Sequence, residues 1–198
     1  MNSVISVKNY TEPSVSEREI LRYSGCKTAD RETEALIKSC VEEMLPRLSY
    51  KVCYRVFDVS VHGDLCDFGL FSLNSADLAR NLTGASRAVI FAATVGVEAD
   101  RLIAKYARLS PSRALILQAV GAERIEALCD VFCDDIAKEY NASLKPRFSP
   151  GYGDLPLESQ RKIFDLLSPE RNIGLFLTES LLMTPSKSVT AITGLCGK

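Results

Sequence analysis

Arg87-Ala88-Val89-Ile90-Phe91-Ala92-Ala93-Thr94-Val95 is a near-continuous apolar run of strand length, closed by Gly96. A strand exposed on one face alternates apolar with polar residues, whereas an unbroken run suits a central strand covered on both faces. Such a strand needs neighbours in a sheet and a layer on either side. Upstream, Tyr50 to Val61 (YKVCYRVFDVSV) alternates, with Val52, Tyr54 and Val56 on one face and Lys51, Cys53 and Arg55 on the other. That is the period of a half-buried strand. His62-Gly63-Asp64 then turns the chain, and Leu65 to Leu73 (LCDFGLFSL) alternates in part, so an antiparallel hairpin is expected. Ser188 to Leu195 reads as a final strand.

Helical patterns fill the gaps between these strands. Glu17 to Tyr23 and Glu32 to Leu48 read as helices, the second with Asp30 as N-cap, Glu34 in its first turn and Pro46 at its end. Short helices are expected at Ala76 to Leu82 and Leu157 to Leu167, and a longer one at Glu98 to Leu109. The strongest helical signal follows Pro111, a residue whose missing N–H costs nothing in a first turn, with Ser110 as cap. From there Ile125, Leu128, Cys129, Phe132, Cys133, Ile136 and Tyr140 recur at helical spacing. Strands paired by hairpin and an apolar centre, with helices between, indicate an α+β or mixed α/β fold. No repeat, charge block or Pro/Gly/Ser linker divides the 198 residues, so one domain is expected over 1–198.

Composition acts mainly by exclusion. With 24 Lys+Arg against 25 Asp+Glu, no bulk field draws the chain to nucleic acid or an anionic membrane. The N-terminal residues lack the apolar core of a signal peptide, and Ala88 to Val97 is about half the ~20 residues that cross a bilayer. A cytoplasmic location is expected. Seven cysteines, at 26, 40, 53, 66, 129, 133 and 196, form no Cys-x-x-Cys pair and are odd in number, so they read as reduced thiols.

Most candidate sites have a plain structural reading beside the chemical one. His62 is the only histidine, which largely excludes Ser-His-Asp and multi-His metal chemistry. Cys129 and Cys133 can pair on a metal, but they lie on an apolar stripe with no third ligand near, and core packing is the better reading. The turn from Ala93 to Asp100 passes from strand to helix through one glycine, far short of a dinucleotide fingerprint. Pro185-Ser186-Lys187-Ser188 has the look of a phosphate-loop tail without its glycines.

The loop Lys145-Pro146-Arg147-Phe148-Ser149-Pro150-Gly151-Tyr152-Gly153-Asp154-Leu155-Pro156 is richer. Its prolines stiffen the backbone, Gly151 and Gly153 permit close approach of a ligand, Arg147 offers a fork for a carboxylate and Tyr152 a face for a ring or cation. It suits a small zwitterionic or carboxylate ligand; a plain Pro/Gly turn is the alternative.

At this loop the sequence resembles the activation, or reactivation, domain of cobalamin (vitamin B12)-dependent methionine synthase, in its stand-alone form. Arg147 to Tyr152 is similar to that family's Arg-x-x-x-Gly-Tyr motif. Ile173-Gly174-Leu175-Phe176-Leu177-Thr178-Glu179-Ser180, continuing through Met183 and Pro185 to Ser188-Val189-Thr190-Ala191, is similar to its Leu-Thr-Glu-Ser block and the strand after it. The match is clear over residues 145 to 192 and weaker upstream. It implies a single curved α+β domain with a mainly antiparallel sheet, binding S-adenosyl-L-methionine on its concave side. Arg147 would hold the ligand carboxylate, Gly151 and Tyr152 the adenosyl part, and Ser149 would be a neighbouring backbone contact. Glu179 would face the ammonium or sulfonium, or else satisfy neighbouring basic groups. No catalytic acid or base, and no metal site, is implied.

The implied role is reductive methylation of cob(II)alamin to methylcobalamin on a partner methionine synthase chain that carries the cobalamin, with a flavodoxin-like electron donor. The alternative is a non-catalytic S-adenosylmethionine sensor or interaction protein serving another corrinoid protein. Fused family members continue past the Ser-Val strand, so a partner or a second copy of the chain, as a homo-oligomer, can complete the pocket. The synthase's folate, homocysteine and cobalamin modules have no counterpart in the sequence, so this chain alone cannot synthesise methionine.

Overall fold

The computed structural model describes residues 4–197 other than Lys27 and Ala29. The chain opens with strand β1 (Ser6–Tyr10), helices α1 (Glu17–Ser24) and α2 (Arg31–Met44), a 3-10 turn and strand β2 (Tyr50–Asp58). Three short strands follow, β3 (Ser60–His62), β4 (Leu65–Asp67) and β5 (Ser72–Asn74), then helix α3 (Ala76–Leu82) and strand β6 (Arg87–Thr94). Helices α4 (Glu98–Leu109) and α5 (Pro111–Glu139) lead to strand β7 (Ala142–Leu144). Helices α6 (Ser159–Leu167) and α7 (Pro169–Asn172), strands β8 (Phe176–Leu177) and β9 (Met183–Thr184), and strand β10 (Ser188–Gly197) complete it.

The apolar run at Arg87 is the middle strand of a curled five-stranded antiparallel sheet, in the order β1-β2-β6-β10-β7. Its side chains divide between two cores. Val89, Phe91 and Ala93 face a cluster built with α1, α2, α4 and α5, while Ala88, Ile90 and Ala92 face a second with α3, α6 and the small sheet β3-β4-β5. Phe91 meets Phe132 of α5 with ring centroids 4.8 Å apart. The α+β class and the antiparallel sheet stand as expected.

Three expectations are corrected. β2 is not half-buried: Cys53, on its polar-looking face, is fully buried in the second core, because a central position in the sheet brings cover to both sides. The hairpin at His62-Gly63-Asp64 joins β3 to β4, not β2, since the chain breaks pairing at Val59. Ser110 occupies the N-cap position of α5, but its hydroxyl makes no capping bond and lies 3.5 Å from that of Ser112. Asp30, by contrast, caps α2 by accepting from the Thr33 N–H at 2.8 Å. No helix among the described residues is long and apolar enough to cross a membrane.

The N-terminal segment is tied to α5 by a buried pair. Arg124, fully buried, donates to the carbonyls of Pro13 and Ser14 at 2.7 Å each and to both carboxylate oxygens of Glu123. Glu123 in turn accepts from the Ser16 N–H at 3.0 Å, so both buried charges are satisfied on every side that matters.

Candidate functional site

A cavity of about 800 Å³ opens where the loop after Lys145 passes the outer edge of β10. It is lined on one wall by Glu126 of α5 and Arg147, on another by Ser149, Pro150 and Tyr152, and on a third by the segment from Thr178 to Thr184. β10 supplies the floor through Ser188, Val189 and Thr190. The size suits a cofactor-sized ligand.

Register explains why β10 has room for a cavity. On one side it pairs β6 from Ser188 to Leu195, but on the other it meets β7 only over Leu195 to Gly197, with a further bridge from Ile192 to Phe148. Phe148 exchanges two bonds with Ile192, at 2.9 and 2.8 Å, and this clamp sets Arg147 and Ser149 at the edge of the opening.

The Arg147 guanidinium is oriented before any ligand arrives. Its Nη1 donates to Asp130 at 2.6 Å and its Nη2 to Glu126 at 2.7 Å, both on α5. Burial works against its charge, yet the hydrogen bond to Asp130 and the nearby carboxylates hold it raised above an ordinary arginine. These bonds take two of its five N–H groups.

The loop from Ser149 to Asp154 is held by its own backbone. Tyr152 donates to the Ser149 carbonyl at 3.2 Å, and Gly151 to that of Leu155 at 2.9 Å. Gly151 has φ +88°, which favours glycine, and a Cβ there would stand 3.3 Å from the Leu157 side chain. Asp154 anchors the loop to α3, accepting from the Ser75 hydroxyl and from the N–H groups of Ala76 at 2.8 Å and Asp77 at 3.2 Å. These bonds, that from Ser75 foremost, hold its carboxyl below the ordinary range. Tyr152 itself projects, 69 % exposed, and Leu182, which also lines the cavity, is exposed too.

Arg147, Ser149 and Tyr152 are thus brought to one cavity, with Gly151 shaping the turn between them. Glu179 is not: its side chain is exposed outside the lining, and its carbonyl accepts from Arg161 at 2.7 Å. The acidic group on the wall is Glu126, which reading along the chain passed over as one more helix residue. The Pro185–Ser188 stretch, with no phosphate-loop geometry around it, supplies wall residues instead, and Ser186 donates to Asp100 of α4. That contact closes the turn at Gly96, which packs against Ser49 and does not line the cavity.

Cys129 is fully buried in the core and Cys133 partly so, in keeping with packing. All seven cysteines are free thiols, and His62 lies exposed on β3.

Residues 76–195, well over half of the chain, match the family model for the activation domain of vitamin B12-dependent methionine synthase. The chain belongs to this family. The activation-domain match begins at α3, upstream of the two motif blocks, and so takes in the whole of the central strand, α4 and α5. The fold is similar to that in a crystal structure of the MetH reactivation domain bound to AdoHcy, with 17% identity and a TM-score of 0.72 over 98% of this chain and 78% of that one.

Proposed function

We propose that the cavity binds S-adenosyl-L-methionine and that the chain, acting as one domain and as a separate subunit, reactivates a partner methionine synthase. The observation that carries this is Arg147, fixed by Glu126 and Asp130 at the edge of an open cavity with donors to spare. In this reading Arg147 takes the methionine carboxylate, Ser149 and Gly151 present backbone to the adenosyl part, and Tyr152 closes over it. Glu126 stands on the Arg147 wall to meet positive charge, and Glu179 belongs to the outer rim.

The residues fit the ligand: a cationic fork, an acidic wall, a glycine turn and apolar surface within one cavity. Bound S-adenosylmethionine supplies a methyl group that, with one electron from a flavodoxin-like donor, restores methylcobalamin from cob(II)alamin held by the partner. What this chain contributes is position. Its loop, tied to α3 through Asp154 and to β10 through Phe148, holds the sulfonium end toward the exposed rim of Tyr152 and Leu182. A held geometry replaces a chance encounter, and this is the whole of the catalytic contribution asked of it.

Calorimetric titration of S-adenosylmethionine into wild type and Arg147→Ala tests the reading. Loss of a charged hydrogen bond is worth about 1.5–3 kcal/mol, so the variant is expected to bind roughly tenfold to a hundredfold more weakly. Equal affinity in both proteins would remove Arg147 from the site.

A further inference from the structure

The buried face of α6 repeats at 160, 163, 164 and 167. Ile163, Phe164 and Leu167 fill three of these places as an apolar stripe should, and Gln160 stands in the fourth. Gln160 is 4 % exposed and lines the cavity, yet among the described residues its carboxamide has no hydrogen-bond partner. Its backbone N–H is spent locally, on the Leu157 carbonyl at 3.0 Å. The carboxamide is not among the enclosed polar groups left without a partner, so it opens on the cavity, where a polar ligand can bond it.

We infer that Gln160 reads the base of the ligand, an inference that rests on the S-adenosylmethionine reading above. A carboxamide sets one acceptor and one donor side by side in a plane. The complement is a planar edge with a donor next to an acceptor, and the 6-amino group of adenine beside a ring nitrogen has that pattern. The 6-amino group donates to Gln160 Oε1, and the ring nitrogen accepts from Nε2. Arg147 and Gln160 then divide the ligand between them, the first taking the amino-acid end and the second the base. The site so assigned is selective for 6-aminopurine nucleosides.

Calorimetry with two ligands tests this, S-adenosylhomocysteine and its counterpart lacking the 6-amino group, on wild type, Gln160→Leu and Gln160→Glu. Wild type is expected to bind the amino-bearing ligand at least tenfold more tightly. Gln160→Leu restores the apolar stripe and retains the fold, checked by its thermal melt, and is expected to lose at least tenfold for the amino-bearing ligand while changing twofold or less for the other. Gln160→Glu, which keeps the acceptor and loses the donor, is expected to lose affinity for the amino-bearing ligand too. Gln160→Leu weakened equally for both ligands, or for neither, would overturn the assignment to the base while leaving the binding reading intact. Wild type that bound neither ligand would overturn both.

Discussion

Arg147 Nη2 lies 2.7 Å from Glu126 Oε2, so a residue of the long helix orients the residue proposed to hold the ligand carboxylate. The pair joins positions 21 residues apart and couples loop to helix before binding. A lysine at 147 keeps the charge but not the fork, and Arg147→Lys is expected to bind S-adenosylmethionine about tenfold more weakly than wild type. Fluorescence or calorimetric titration checks this, and undiminished affinity would mean that charge alone suffices.

Gly151 combines φ +88° with a close neighbour, the Leu157 side chain 3.3 Å from where a Cβ would stand. Gly151→Ala is expected to cost about 1–2 kcal/mol in stability and to weaken ligand binding together with it. Gly174, also at positive φ but with nothing within 4 Å of a built Cβ, is the control: its alanine variant should lose stability without loss of affinity. Equal losses of affinity at both positions would separate the glycine turn from the site.

How much of this was legible in the residues follows physical lines. β6 was legible because burial on both faces leaves an unbroken apolar run, and α3 and α4 because their polar and apolar residues keep helical period. β1 was not, since Ser6–Tyr10 is an edge strand with little apolar signal, and β7, β8 and β9, two or three residues each, carry no period at all. The Arg147 to Tyr152 part of the site is contiguous and could be read. Glu126 and Gln160 come to it only through packing of α5 and α6, although Gln160 in an apolar stripe was a visible anomaly.

Glu123 and Arg124 test the N-terminal anchor. Removing one partner leaves a buried charge without its counterpart, so Glu123→Ala is expected to cost about 3–5 kcal/mol in urea unfolding. A loss under 1 kcal/mol would show that the pair is solvated in solution.

Thiol chemistry should divide by burial. Burial pushes the thiols of Cys40 and Cys66 up to about 11 and Cys53 up to about 12, with Cys129 higher still. At pH 8 a maleimide or disulfide reagent is expected to modify partly exposed Cys26, Cys133 and Cys196 first, and the four buried thiols only on unfolding. Rapid modification of Cys129, mapped by mass spectrometry, would contradict this.

Acid should weaken the fold through its paired carboxyls. Asp135, bonded by Lys8, and Asp154, bonded by Ser75, are held below the unfolded value of about 3.9. A depressed folded pKa gives stability that is present above the unfolded pKa and lost as pH falls through the folded one. The urea midpoint is therefore expected to hold between pH 7 and 5 and to drop below about pH 4, with a smaller drop in Asp154→Asn. An identical acid slope in that variant would show that Asp154 is not held in solution.

The central claim is reactivation of a partner, and the visible spectrum of cobalamin reports it directly. The partner synthase in its cob(II)alamin form is mixed with S-adenosylmethionine and a low-potential reductant, with and without this protein. Methylcobalamin is expected to form much faster when the protein is present, and Arg147→Ala is expected to give little of that gain. Formation at the same rate without the protein would contradict the account and favour a sensor that binds the ligand but delivers no methyl group.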